Sequence, residues 1–409
     1  MKRLLAYIFL FLSLATIGSA KNRKVIYIVT DGIPADFVER VKPEFIFDIA
    51  REGAYARAYT GGEVGGYSQT HTISAIGYTN ILTGTWMNKH NVQGNSSLKL
   101  RYQYWSLFRI AKEQDRNYTT GLYSSWTDNR TVLIGENKPE TGNLQIDYVF
   151  DGYDLDKKNY PPKKDDLHIF DIDSVVAEKA VANIREHAPD MNWVYFWYTD
   201  DAFHIHGDGN FSEKYVRKTD RLIGKIWDAV KYREKNFDEE WLVIVTTDHG
   251  REETGHSHGG QSSRERTVWI STNYKGVNAH FNSSNLSLVD INPTICHFMG
   301  FKLPQEVMFE QDGISFIGKA DIVNLRTAYY DNQIILSWNN YQQNISETLD
   351  IYVSFSNNYL SGGKDNWVKV ATIPASENCY VFDRSKYPDS NFYKFVVVSL
   401  NSHLNRWCK

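Results

Sequence analysis

Residues 241–260 read WLVIVTTDHGREETGHSHGG, and their first half decides the fold. Leu242, Val243, Ile244, Val245 and Thr246 form a short, mostly β-branched run, the composition of a strand buried on both faces of a parallel sheet. Asp248 and His249 come at its end. Open α/β sheets gather ligands at the carboxyl ends of their strands, so an acid and an imidazole there are placed for chemistry, and Gly250 lets backbone approach closely. His256 and His258 follow within one loop. Carboxylate and imidazole are the side chains that hold zinc. Taken alone the segment also reads as a polar loop with solvated histidines, and the rest of the chain decides between the two.

Two more strand ends carry the same chemistry. The run 24–30, KVIYIVT, leads into Asp31 and Gly32, and the run 193–198, WVYFWY, leads into Thr199, Asp200, Asp201 and, one helical turn beyond Asp200, His204. Between them, 38–53 reads as a helix stopped by Gly53. A Gly-rich loop at 61–66 precedes a stretch, 68–84, crowded with small and hydroxylated residues at a helix start. A hydroxyl in that position meets the positive end of the helix dipole, which favours its alkoxide and an anion beside it. The plain alternative for Ser74 is an N-cap. Helical patterns at 101–113, 172–187 and 211–232 and a strand at 121–126 complete an alternation that predicts a three-layer α/β/α sandwich. Three acid-bearing strand ends, nearby imidazoles and a hydroxyl at a helix start are what a two-metal hydrolytic site requires. Three carboxylates and one alkoxide would balance two divalent cations.

The two ends of the chain differ from this middle. Residues 1–20 have a basic start, an apolar centre and a small-residue end, the pattern of a cleaved signal peptide, so a secreted or periplasmic protein is expected. No later run is long and apolar enough to span a membrane. A net charge of −4 and no basic tract argue against binding duplex nucleic acid. Three cysteines do not make a disulfide scaffold; Cys379 and Cys408 could pair, leaving Cys296 as a buried thiol. Sequons occur at Asn117, Asn129, Asn210, Asn282, Asn285 and Asn344 among others. From about Asp321 the pattern changes to short strands, at 334–338, 349–354, 367–371 and 392–398, which predicts a small all-β sandwich. With Trp338 and its Tyr-rich later strands this tail resembles a fibronectin type III domain. The expected division is a leader at 1–20, a catalytic domain at 21–318 and the sandwich at 319–409, packed against the catalytic domain.

In their order, the motifs of residues 24–318 resemble the alkaline phosphatase superfamily, and within it the type I phosphodiesterase/nucleotide pyrophosphatase branch. VIYIVTDGIPADF is similar to that branch's opening strand with its metal-binding acid, here Asp31. NILTGTWMNKHNVQGN resembles the stretch after the nucleophile, which the family spacing places on Ser74, where the family usually has Thr, with Thr72 and Ser68 as the alternative nucleophiles, and it ends on the oxygen-binding Asn95. TDDAFHIHG and TTDHGREETGHSHGGQSSRER resemble the remaining ligand motifs, and DINPTICHFMGF with DGISF resembles the close of the catalytic domain. The resemblance implies an alkaline phosphatase-like fold and two Zn2+, one held by Asp31, Ser74, Asp248 and His249, the other by Asp200, His204 and His258. His206 and His256 are the alternative imidazoles. A formylglycine sulfatase is not implied, because Ser74 is followed by Ala75, Ile76, Gly77 and Tyr78 rather than by a Pro-x-Arg pattern.

The expected reaction is hydrolysis of a phosphodiester or nucleotide pyrophosphate bond through a phosphoserine on Ser74, with a small phosphate ester or nucleotide as partner. Superfamily monoesterases with an Asn at the position of Asn95 resemble a Lys-x-Arg arrangement in the loop that here reads Trp126, Thr127, Asp128, Asn129, Arg130. An acid at 128 would repel a dianion, so diesters are expected, with the organic group near Trp126 or Tyr78 and Arg130 as a further substrate contact. The alternatives are a phosphomonoesterase on the same site and an inactive exported binding module.

Overall fold

The computed structural model describes residues 21–341 and 347–408; the leader at 1–20 and the sequon residue Asn344 lie outside the described residues. Strands β1 (Asn22–Thr30), β2 (Ala54–Tyr59), β3 (Thr120–Ser124), β4 (Tyr148–Phe150), β5 (Met191–Phe196), β6 (Glu239–Thr246) and β7 (Thr267–Thr272) form one sheet. Their order is β2-β7-β6-β1-β5-β3-β4. The five strands from β6 to β4 run parallel, while β7 is antiparallel to β6 and β2 to β7.

Alternation along the central strands explains the three layers. Val25, Tyr27, Val29, Trp193, Tyr195, Leu242 and Ile244 point into one core, under helices Ser74–Thr83, Leu107–Gln114 and Ile291–Met299. Ile26, Ile28, Val194, Phe196, Val243 and Val245 point into the other, under helices Ala35–Val41, Glu44–Glu52, Leu167–Glu186 and Asn210–Asn236. Both faces are therefore dry, and each such side chain contributes roughly 1.5–3 kcal/mol by its burial. The carboxyl ends of β1, β5 and β6, neighbours in the sheet, bring Asp31, Asp200 and Asp248 to one edge.

Local details depart from the sequence pattern for identifiable reasons. The helix expected over 38–53 is two helices, broken at Lys42 (φ 48°) because Pro43 disfavours helical backbone before it. The second helix is capped from afar: Asp220 accepts hydrogen bonds from the amides of Phe45 (3.1 Å) and Ile46 (2.9 Å). The helix expected from 101 begins at Leu107, where Ser106 Oγ accepts from the Arg109 amide at 3.3 Å. The strand expected over 193–198 ends at Phe196, because Asp173 takes the amides of Trp197 (3.0 Å) and Tyr198 (2.9 Å) and a helix, Tyr198–His206, starts there.

Beyond the seven-stranded sheet come β8 (Ile322–Tyr330), β9 (Gln333–Asn340), β10 (Thr348–Ser354), β11 (Val368–Pro374), β12 (Cys379–Asp383), β13 (Tyr393–Val398) and β14 (His403–Cys408). They make two antiparallel sheets, β11-β10-β13-β14 and β12-β9-β8, which share one core around Leu336, Trp338, Ile351 and Phe395. Cys379 and Cys408 do not pair: they lie in different sheets, both thiols are free, and Cys408 is hydrogen-bonded with Thr327 and Tyr329. These sheets rest on the larger unit through a buried charge cluster. Lys394 reaches Glu310 (2.5 Å) and Asp365 (2.7 Å), and Lys89 reaches Asp312 (2.6 Å) and Asn405 (2.7 Å). Among the described residues no helix is long and apolar enough to cross a membrane.

Candidate active site

Ser74 is the first residue of helix Ser74–Thr83, entered from an extended Ile73. Its hydroxyl lies 3.2 Å from His249 Nε2. The helix can sit this close to the end of β6 because Gly77 faces Asp248: a Cβ on Gly77 would come within 2.8 Å of the Asp248 carbonyl oxygen and of its Cβ. Asn95 is fixed beside the same helix end, its Oδ1 accepting from the Ala75 amide at 2.9 Å. The neighbouring hydroxyls have other partners. Thr72 Oγ1 donates to the Gly260 carbonyl (3.1 Å) and accepts from the Gly259 amide (3.0 Å), and Ser68 Oγ accepts from the Glu63 amide (3.1 Å).

Around His249 Nε2 stand two carboxylates, Asp248 Oδ2 at 3.3 Å and Asp31 Oδ1 at 3.4 Å. Each acid is anchored through its other oxygen. Asp248 Oδ1 accepts from the Gly32 amide (3.0 Å), and Asp31 Oδ2 is met by the hydroxyls of Tyr195 (2.7 Å) and Tyr78. That leaves Asp31 Oδ1 and Asp248 Oδ2 buried without a hydrogen-bond partner. A bare buried acceptor costs about 1–3 kcal/mol, and more when charged. A cation at this point removes that cost, so the residues fit a metal ion. The histidine is oriented for it as well, since His249 Nδ1 contacts the Gly250 carbonyl at 2.9 Å and turns Nε2 toward the acids. Burial and the Asp31 charge push Asp248 well above the usual carboxylate range. Burial alone would lower His249, but Asp248, Asp31 and Asp200 outweigh it and raise the imidazole to about 9.

The second cluster shares the same edge. His204 Nε2 is 3.2 Å from Asp200 Oδ2 and 3.2 Å from His258 Nε2, which is 3.7 Å from Asp200 Oδ1. His258 Nδ1 contacts the Thr72 carbonyl at 2.7 Å, and its ring stacks on His249 with centroids 3.7 Å apart. Burial and the neighbouring His249 push His258 down to about 4. Asp31, Asp248 and His249, and Asp200, His249 and His258, each bring their donor atoms within 4.8 Å of one another. His206 and His256 turn away, His206 onto the Phe211 ring (3.8 Å) and His256 Nδ1 to the His204 carbonyl (3.1 Å).

Three supporting residues carried no signal in the motifs. Tyr195 sits on β5 opposite Val29 of β1, a register that aims its hydroxyl at Asp31. Arg251 is fully buried and pairs with Asp200 Oδ1 while donating to the carbonyls of Gly32 (2.9 Å) and His256 (3.1 Å). Burial works to raise Asp200, and Arg251, followed by the histidines, overrides it and holds that carboxyl well below its usual range. Asp173, also fully buried, fixes the start of the helix that carries Asp200 and His204.

A cavity of about 340 Å³ opens onto Ser74, Asn95, Asp200 and His204, with Trp126, Trp197 and Asp201 also lining it. Burial and the Asp200 charge push Asp201 up to about 8. Two expected substrate contacts have partners within the protein. Tyr78 borders the cavity but is buried, its hydroxyl spent on Asp31 and its ring edge-on to Trp126 (6.3 Å, 63°), so it offers no stacking face to a ligand. Arg130 does not line the cavity, because Asp151 (2.7 Å) and Glu136 (2.8 Å) hold its guanidinium in its own loop. Asp128 is likewise outside, accepting from Thr131 Oγ1 at 3.0 Å. A larger cleft of about 560 Å³ lies against β8 and β14; it is lined by Ser68 but by none of the expected metal-binding residues.

Comparison with known proteins bears on the fold and the family. A 2-O glycosaminoglycan sulfatase structure aligns with a TM-score of 0.50 at 13% identity, over 90% of this chain and 86% of that one. A sulfatase-like protein from Bacteroides thetaiotaomicron aligns with a TM-score of 0.50 at 12% identity, over 90% and 86%. Murine ectonucleotide pyrophosphatase/phosphodiesterase 5, in an inactive form with AMP, gives 0.47 at 13% identity, over 69% of this chain and 96% of that one. At such identities the first two likenesses show the fold. GPI ethanolamine phosphate transferase 2 of Schizosaccharomyces pombe is 24% identical over 143 residues, 31% of this chain, and the match spans about a fifth (19%) of that protein's length. The model of the family described as type I phosphodiesterase / nucleotide pyrophosphatase matches residues 25–312, which include every expected catalytic and metal-binding residue. The chain therefore belongs to the type I phosphodiesterase / nucleotide pyrophosphatase family.

Proposed function

We propose that the protein is an exported two-zinc phosphodiesterase whose nucleophile is Ser74. The observation that carries this reading is the Ser74 hydroxyl at a helix N-terminus, 3.2 Å from His249 Nε2 and beside the two bare carboxylate oxygens of Asp31 and Asp248. Asp31, Asp248, His249 and Ser74 would hold one ion and Asp200, His204 and His258 the other. Three imidazoles in this set favour zinc over magnesium, which prefers oxygen ligands and water. Bound there, the ions supply Lewis acidity and make the serine hydroxyl acidic enough to attack at neutral pH.

The chain's own groups do the rest. Ser74 Oγ forms a bond to phosphorus as the bond to the leaving alcohol breaks and the alcohol takes up a proton, giving a serine-linked phosphodiester that keeps the second alcohol; water then cleaves the serine bond, returning the proton to Ser74 and releasing a phosphomonoester. The amino group of Asn95 and the free amides at the start of helix Ser74–Thr83 hold the non-bridging oxygens. Tyr78, Tyr195 and Arg251 keep Asp31 and Asp200 in place. A diester is favoured over a monoester because, among the described residues, no Lys or Arg lines the cavity to meet a second negative charge. The leader at 1–20 and the division into a catalytic unit and a fibronectin type III-like sandwich after 318 belong to the same reading.

The decisive experiment is Ser74→Ala. It abolishes turnover of bis(4-nitrophenyl) phosphate while zinc content stays near two per chain; full activity in the variant refutes the assignment. Chelation inactivates the enzyme and zinc restores it better than magnesium. A monoester preference on the order of a hundredfold in kcat/KM, about 2.7 kcal/mol of transition-state binding, would overturn the diester reading.

A further inference from the structure

The cleft of about 560 Å³ between the Gly-rich loop and strands β8 and β14 carries positive charge that the folded chain leaves without carboxylate partners. Three arginines reach it from different segments: Arg266 at the end of helix Ser263–Arg266, Arg326 on β8 and Arg406 on β14. Consecutive residues of one loop bring two of them together, since Arg266 Nη2 donates to the Gly62 carbonyl and Arg406 Nη1 to Glu63 (2.5 Å). Among the described residues Glu63 is the one acid that pairs with any of the three. The other acids of the lining are turned into the walls. Asp290 spends both oxygens on His280, Ser287 and the Ile314 amide, and Asp312 spends both on Lys89 and the Trp86 amide. Arg266 is half-buried, and burial lowers its pKa with only Tyr59 opposing the shift. Its Nε, like that of Arg406, is buried without a hydrogen-bond partner. Arg266 Nη1 and Arg406 Nη2 also have no partner among the described residues, so the cleft offers cationic donors and little to accept from them.

We propose that this cleft is a second binding site, one that takes the phosphate monoester of a small hydrophilic molecule. Guanidinium forks match the paired oxygens of a phosphate, and two arginines without a carboxylate partner call for two negative charges. A phosphate monoester carries roughly −1.5 to −2 at pH 7, whereas a sulfate ester or a carboxylate carries a single charge. The volume is that of a small-molecule pocket and exceeds what a phosphoryl group fills. The remainder of the ligand is polar, because the aromatic rings of the lining are already covered: Tyr59 lies between Trp86 and Arg266, and Tyr67 between Trp407 and Arg406. Ser284 and Asn285 are left to meet hydroxyl groups. The cleft shares no lining residue with the cavity at Ser74.

Calorimetric titration of the full chain compares glucose 6-phosphate with glucose 6-sulfate, two probes of one shape that differ by up to about one charge. The protein binds the phosphate ester more tightly by on the order of tenfold or more. Arg266→Gln and Arg326→Gln each remove that preference while metal content stays at the wild-type level. Arg326 is exposed on its strand, so its variant keeps the test open even where the change at Arg266 disturbs folding. Neither measurement depends on turnover, so the outcome is independent of the phosphodiesterase reading. Equal affinity for the two probes overturns the proposal. So does a preference that survives unchanged in Arg326→Gln, which would place the ester at the metal-binding residues instead of in the cleft.

Discussion

Replacing Lys394 by methionine tests how firmly the C-terminal sheets are tied to the rest of the molecule. The side chain is fully buried, as nearly are its partners: Glu310 is 3% exposed and Asp365 1%. Methionine keeps most of the volume, so the lost packing is small. What remains is two buried carboxylates without their cation, and Glu310 Oε2 already lacks a hydrogen bond. Removing one partner of a buried pair costs about 3–5 kcal/mol, a large part of a typical domain's stability of roughly 5–15 kcal/mol. The sign of the pH dependence follows. Burial already raises Glu310 above its ordinary value even with Lys89 and Lys394 beside it, and losing Lys394 raises it further. A folded-state pKa above the unfolded one favours the folded protein at low pH, and that advantage is lost as pH rises through the folded value. The variant's deficit is therefore largest at pH 8 and shrinks toward pH 5, by at most about 1.4 kcal/mol per pH unit for one proton. Urea unfolding followed by fluorescence reads it directly, because the Trp367 and Trp407 rings lie 5.8 and 5.5 Å from the ammonium. A loss under about 1 kcal/mol at pH 8, against the expected range for a broken buried pair, would refute the reasoning. So would a deficit of equal size at pH 5 and pH 8.

Asp220, the remote cap of helix Glu44–Glu52, is pushed up to about 6 by burial, against an ordinary 3.8. Its contribution is full below the unfolded value and is lost as pH rises through about 6, on the order of 3 kcal/mol, so Asp220→Asn flattens the stability–pH curve from pH 4 to 7, measured by urea unfolding. Asp173→Asn leaves only one acceptor oxygen for the Trp197 and Tyr198 amides and for Ser125, and zinc affinity falls about 10- to 100-fold in competition with a chelating dye. An unchanged affinity would show that the helix start does not depend on Asp173. Ending the chain at 318 removes Lys394 and Asn405 and leaves Lys89, Glu310 and Asp312 facing water, and the shortened protein melts about 10 °C lower by calorimetry.

What the sequence discloses depends on whether a residue's role is local. Strands β1, β5 and β6 are readable because burial on both faces demands uninterrupted apolar runs. β2 and β7 are not, since AYARAY and TVWIST carry no comparable run and owe their strand form to pairing with each other. Asp31, Asp200 with His204, and Asp248 with His249 are visible as polar groups at strand ends, and the structure brings them together because those strands are neighbours. Tyr195 and Arg251 are invisible in this way: a tyrosine in a buried strand looks like core, and an arginine in a polar loop looks solvated. Arg130 is the reverse case: its loop suggested a substrate contact, while Asp151 and Glu136 hold its charge in the folded chain.

Gly77 sets more than a close approach. With no side chain between them, the helix bearing Ser74 and the main chain of Asp248 approach closely, and the reach of the proposed nucleophile is fixed by a helix and the end of a buried strand. Such a spacing cannot loosen one rotamer at a time. On heating, turnover should keep rising along a single Arrhenius line until the sheet itself melts, where a nucleophile mounted on a mobile loop would fade over tens of degrees beforehand.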